Sequence, residues 1–135
     1  MQLTIFVTAL ALAASTHAAV VGPPSINSDA IVANDFYYST LCGAKAPAVN
    51  MAIQGYCSHN PVGPTVGTPF ASGGLIHDDM KVSIVGPNCP ANSKWVPAKY
   101  CEAQFHFICA YGGPAGGGTG TFGSNGCQTW TITKI

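Results

Sequence analysis

"AQFHFICAY", residues 103–111, is the stretch on which the reading of the chain turns. Its apolar residues fall at Ala103, Phe105, Phe107, Cys109 and Tyr111, the two-residue period of a half-buried strand, so the spacing predicts a strand here. At a rise of about 3.3 Å per residue, the steps from Ala103 to Cys109 cover about 20 Å. Bridged cysteines need α-carbons within about 7 Å, so Cys101, just outside this strand, is expected not to pair with Cys109.

Downstream lies "YGGPAGGGTGTFGSNGC", residues 111–127, in which Gly118, Gly120 and Gly123 have the G-x-G-x-x-G spacing used to cradle a pyrophosphate. That fingerprint works only between a strand and a helix N-terminus. Here "SNGCQTWTITKI" follows, which is β-branched and turn-rich, and neither a downstream acidic residue nor a Gly-Lys-Ser/Thr completes a nucleotide site. The stretch therefore reads as a long hairpin or crossover loop, with "SNG" turning into a last strand, "CQTWTITKI", that puts Trp130 and Ile132 on one face and threonines on the other.

Upstream, "MKVSIVG" (80–86) is a strand bounded by Asp78, Asp79 and Gly86-Pro87, and "IVANDFYY" (31–38) carries the residues of another. The clearest helix is "KAPAVNMAIQGYC" (45–57), about two turns long: Pro47 suits its first position, Val49, Ala52, Ile53 and Tyr56 make its stripe, and Gly55 suits its stop. Flanking Cys42 and Cys57 are placed to staple it. In "NCPANSKWVPAKYCEA" (88–103) Pro97 opens a second short helix, with Asn92 or Ser93 as a cap upstream. Residues 60–74 are rich in proline and glycine and read as a long irregular loop. The fold class is α+β, a predominantly antiparallel sheet with short helices packed on it; an all-β sandwich is the alternative.

Charge is scarce: five Lys, four Asp, one Glu and no Arg, for a net charge of zero. Nucleic-acid binding draws on clustered cations and bidentate arginine forks, so it is set aside, and acidic polysaccharides with it. Leu3 to Ala14 is an apolar run followed by small residues, with Thr16 and Ala18 placed for cleavage, so residues 1–18 are expected to be a signal peptide removed after Ala18. An extended arm follows, "AVVGPPSINSDA" (19–30), and residues 19–135 are expected to form a single secreted domain. No stretch has the roughly 20 apolar residues of a membrane span, so no membrane insertion is expected. Six cysteines, Cys42, Cys57, Cys89, Cys101, Cys109 and Cys127, form an even set that predicts three disulfides; no C-x-x-C supports metal ligation.

Catalytic constellations are thin. Asp78 and Asp79 point to opposite faces of an extended segment, Asp29 lies in the arm, and Asp35 with Glu102 is an unsupported carboxylate pair. A small ribonuclease would place Glu102 and His106 on one strand face but would want an arginine for the phosphorane charge. No G-x-S-x-G elbow occurs. The densest polar cluster, His77, Asp78 and Asp79, suits a polyol or a solvated turn more than a metal, and His59 sits in the Pro/Gly loop. Among the aromatics Tyr37, Tyr38, Trp95, Tyr100 and Trp130, the last belongs to the core, whereas Trp95 with nearby Asn92 and Ser93 offers a ring and neutral hydrogen-bonding groups for a sugar. The expected binding residues are His77, Asp78, Asp79, Asn92 and Trp95, with no cofactor and no metal.

The segments "HDDMKVSIVGPNC", "YCEAQFHFICAYGG" and "GTFGSNGCQTWTI" give the chain a resemblance to secreted glycan-binding proteins of the shaggy ink-cap mushroom and its fungal relatives. The resemblance implies a three-layer α/β/α sandwich, homodimers whose sheets join, and binding of fucosylated, GalNAc-containing glycans of the LDNF type on cell surfaces or glycoproteins. A small secreted effector that contacts a host protein is the alternative function, and a hydrolase the third.

Overall fold

The structure, a computed structural model, describes residues 27–59 and 62–135. The expected signal peptide and most of the arm after it lie outside the described residues.

Residues 103–111 are helical, which corrects the strand expected there. They belong to α5 (Ala98–Tyr111), which starts after Pro97, as expected, but runs 14 residues to its cap at Gly112. Every residue from Ala103 to Cys109 is buried. A helix enclosed on all sides shows no polar stripe, so its period is invisible in the sequence. Phe105 and Phe107, which alternation puts on one strand face, lie about 200° apart on a helix. Phe105 accordingly packs on Trp130 and Tyr56, with ring centroids 4.7 and 5.6 Å away, and Phe107 packs on Tyr38 at 5.1 Å.

The segment 31–38 is a second correction. It forms α1 (Ser28–Ala33) and the start of α2 (Asp35–Lys45), which meet at Asn34. The Asn27 side chain caps α1 by accepting from Asp29 N–H at 2.7 Å, and the Asn34 amide donates to Ala30 O at 2.8 Å. Ile31 and Tyr38 form a second small core with Ala103 and Phe107. α3 (Pro47–Cys57) is the helix expected from its stripe, with Val49, Ala52, Ile53 and Tyr56 all buried; it has 11 residues and runs two past Gly55. The predicted long loop contains a short α4 (Pro69–Gly73), whose Thr68 side chain accepts from Ala71 N–H.

All three disulfides form: Cys42 with Cys109, Cys57 with Cys101, and Cys89 with Cys127. Two of them pin α2 and α3 to opposite ends of α5. Cys101 and Cys109 are unpaired with each other, as expected, though for another reason: eight helical residues still separate their α-carbons by about 12 Å.

The sheet holds β1 (Leu75–His77), β2 (Met80–Val85), β3 (Gly118–Phe122) and β4 (Gln128–Lys134), antiparallel throughout in the order β1-β2-β4-β3. β2 and β4 were legible, and Met80, Val82, Ile84, Trp130 and Ile132 face the helices from one side. Lys81, Ser83, Val85, Thr129, Thr131 and Thr133 occupy the other side, joined by Thr119 and Thr121 of β3. The class is α+β with an antiparallel sheet, not an all-β sandwich. Three layers are present, but the sheet is outermost: α3 and α5 cover its inner face and α1 and α2 pack beyond α5, where the resemblance implied helices on both faces.

The fingerprint glycines are explained by packing. A Cβ at Gly118 or Gly120 would approach the Ile108 side chain to 3.1 Å, so the bare strand lets α5 settle close to β3. Gly123, at φ 78°, makes the turn toward β4. Tyr56 ties α3 to α4 and the sheet, donating its hydroxyl to Ala71 O at 2.9 Å and accepting from Ile84 N–H at 3.1 Å. Burial pushes this hydroxyl well above the usual phenol range, against the opposing effect of the Ile84 N–H bond.

Candidate functional site

One end of the sheet opens into a cleft of about 220 Å³ built from three separate stretches of chain. Asn92, Ser93 and Trp95 come from the turn 91–93 and the segment after it; Tyr100 and Gln104 come from the first turns of α5. Ser28 enters from the start of α1, and Gly123 and Gln128 from the β3–β4 connection. No charged side chain lines it among the described residues.

Trp95 is held from behind. Its backbone bridges Thr65, and its indole N–H donates to Val62 O at 3.1 Å, yet the side chain is 53% exposed. With the polar edge engaged, what it offers is its ring face. Asn92 stands exposed beside it, with no side-chain hydrogen bond among the described residues. Deeper in, the Gln104 amide donates to Ser28 Oγ at 2.8 Å, leaving its carbonyl oxygen without a partner among the described residues. Tyr100 donates its hydroxyl to Asp29 Oδ1 at 2.6 Å; that bond, then the nearby negative charge, raises its pKa and keeps the phenol protonated.

The floor is a chain of hydrogen-bonded groups, with Ser93, Gln128 and Trp130 buried and Ser124 at the exposed end. Gln128 Nε2 donates to Ser93 O at 2.6 Å, and Gln128 Oε1 accepts from the Trp130 indole N–H at 2.9 Å. Ser93 and Ser124 share a hydroxyl–hydroxyl bond, and Ser124 N–H donates to Ser93 Oγ at 3.0 Å. These bonds tie the turn 91–93 to the turn 124–126 and to Gln128.

Of the residues expected to bind, Asn92 and Trp95 meet in the cleft, whereas His77, Asp78 and Asp79 form the β1–β2 turn. That turn adjoins Lys134, where Asp79 makes an ion pair of 3.1 Å, six strand steps or about 20 Å from Gln128. Asp78 has φ 53° in the turn and lies 3.9 Å from His77. The five residues are thus two separate places, and Asp78 supplies the positive φ of the hairpin turn. Among the described residues, no three His, Cys, Asp or Glu side chains are grouped to hold a metal ion.

Of the carboxylates Asp35 and Glu102, Asp35 is engaged by a histidine: its Oδ1 bonds His106 Nδ1 at 2.7 Å, one helical turn beyond Glu102. His106 is buried and its Nε2 has no partner among the described residues, so Glu102 and His106 share a helix face but do not present a common reactive surface. Sequence reasoning missed Ser28, Gln104 and Gln128. Only the last left a signal, a glutamine in register with Trp130 and Ile132 on the buried face of β4.

Fold and site together define a disulfide-stapled α+β domain with an uncharged, aromatic-rimmed cleft. Compared with protein-family models, curated proteins and solved structures, the chain matches none, so its function is read from its own geometry.

Proposed function

We propose that the chain is a secreted, lectin-like protein whose cleft binds a neutral saccharide without chemical turnover. The observation that carries this reading is the pairing of Trp95, its N–H engaged and its ring exposed, with the unengaged Asn92 amide and Gln104 carbonyl in a lining free of charge. A sugar presents an apolar face to the ring and neutral hydroxyl or amide edges to the side groups, and needs nothing ionic. Three disulfides and the lack of any helix long enough to cross a membrane among the described residues suit an extracellular protein.

A glycan array with the oxidised protein tests the reading, and fucosylated, GalNAc-containing glycans are the first ligands to try. Trp95→Ala is expected to cost about 2 kcal/mol, roughly thirtyfold in affinity, while Trp95→Phe keeps most of it. A folded protein that ignores every glycan, or a Trp95→Ala variant that binds unchanged, overturns the proposal. The partner protein of an effector would more naturally meet α2, where Phe36, Tyr37 and Leu41 are 86, 57 and 39% exposed; binding lost on changing these and kept in Trp95→Ala favours that second reading.

The homodimer belongs to the same proposal. β3 is an edge strand, and antiparallel pairing with the β3 of a second copy would join two four-stranded sheets. Sedimentation is expected to give twice the monomer mass; a monomer at high micromolar concentration excludes it.

A further inference from the structure

We infer that the Cys89–Cys127 disulfide is a redox latch on the cleft, opened by dithiol reductants while the rest of the fold persists. The inference rests on the cleft being the saccharide site. Cys42, Cys57, Cys101 and Cys109 have no exposed surface, whereas Cys89 is 7% exposed and Cys127 is only half-buried. Exchange requires a thiolate to reach a disulfide sulfur, so of the three bridges the one with the more exposed residues is the most open to attack, and the attack is assigned to its more exposed end, Cys127.

The position of the bridge gives this access a consequence. Cys89 sits two residues before the turn 91–93 that carries Asn92 and Ser93, and Cys127 lies between the turn 124–126 and Gln128. The bridge therefore clamps the two walls of the cleft to each other. Neither turn belongs to a long helix, and among the described residues the hydrogen bonds left between the walls once the bridge opens are Ser93–Ser124 and Ser93–Gln128. The two buried bridges hold α2, α3 and α5 independently.

In the exchange, one thiolate of a dithiol attacks Cys127 Sγ, forming a mixed disulfide and releasing the Cys89 thiolate. The second thiolate of the reductant displaces the Cys127 thiolate and closes the reductant's own disulfide. Two electrons pass to the protein, and the released thiolates take protons from water. An oxidising exterior keeps the cleft formed, and a reducing compartment disables it.

The test titrates the oxidised protein with dithiothreitol, traps thiols by alkylation and maps them by mass, with circular dichroism and affinity for a fucosylated GalNAc-GlcNAc oligosaccharide measured on the same samples. Cys89 and Cys127 are expected to be labelled about tenfold faster than the other four, with helicity retained and affinity reduced at least about tenfold. A Cys89→Ser/Cys127→Ser variant is expected to show the same weak binding without reductant. Earlier labelling of a buried bridge, loss of all three together with helicity, or full affinity in the latch-reduced protein overturns the inference. If the oxidised protein binds no saccharide, the glycan reading fails separately. Hydrogen exchange of segments 91–95 and 123–128 then decides: faster exchange on selective reduction upholds the latch, and unchanged exchange removes it.

Discussion

Replacing Cys42 and Cys109 together by Ala is expected to lower the stability of the protein by about 4 kcal/mol and its melting temperature by about 20 °C. The bridge closes a loop between residues 67 apart in sequence, the longest of the three separations, so its removal frees most conformations in the unfolded chain. Small domains have about 5–15 kcal/mol in total, and this loss takes a large share. The folded state loses contacts as well, since both cysteines are fully buried where α2 meets the last turn of α5. At the same junction Lys45 Nζ donates to Ala110 O and Gly112 O, at 2.9 and 3.1 Å, closing the C-terminal end of α5; burial lowers the pKa of this ammonium. Those hydrogen bonds do not substitute for the crosslink, because they are absent from the unfolded chain. Urea unfolding of the variant against the parent measures the difference. A loss below about 1 kcal/mol would mean that the unfolded chain is already restricted by other structure.

The same junction shows why part of this fold was legible and part was not. α3, β2 and β4 each keep one solvated face, so their polar residues mark the period, and the three were read nearly to their ends. α5 has neighbours on all sides: α1 and α2 on one, α3 and the sheet on the others. Its interior polar residues, Gln104 and His106, are there to bond Ser28 and Asp35 and not to face water, so they imitate the polar half of a strand. α1 and α2 were hidden differently, by aromatic and β-branched residues that imitate a strand, while Asn27, whose side chain caps α1, falls in the stretch read as an extended arm. The cleft divides along the same line. Asn92 and Trp95 are near neighbours in sequence and were found together, whereas Ser28, Gln104 and Gln128 arrive through tertiary packing that only a correct helix at 98–111 would have suggested. The aspartates of the β1–β2 turn attracted notice as polar density, but a polar pair between two strands is first of all a turn.

Gln128→Leu is expected to damage fold and cleft together. The side chain is 4% exposed and is engaged at both ends, so the substitution leaves Ser93 O and the Trp130 N–H buried and unpaired. Each orphaned group costs about 1–3 kcal/mol, and the sum is about 3 kcal/mol of stability. Leucine fills much of the volume, which makes the missing hydrogen bonds the main loss. The turn 91–93 then loses one of its ties to the β3–β4 connection, and if the cleft is the saccharide site proposed above, affinity is expected to fall with it. Trp130→Phe separates the two effects: it removes the indole donor, so in the double variant the cost of Gln128→Leu shrinks by roughly 1–2 kcal/mol, a coupling that urea unfolding of the four proteins resolves. A Gln128→Leu protein as stable as the parent, or strictly additive with Trp130→Phe, would show that water or a neighbouring group replaces these bonds. On the proposed reading, a stable variant with weakened saccharide binding would place Gln128 in direct contact with the ligand, and a destabilised one with full affinity would uncouple the walls of the cleft from its floor.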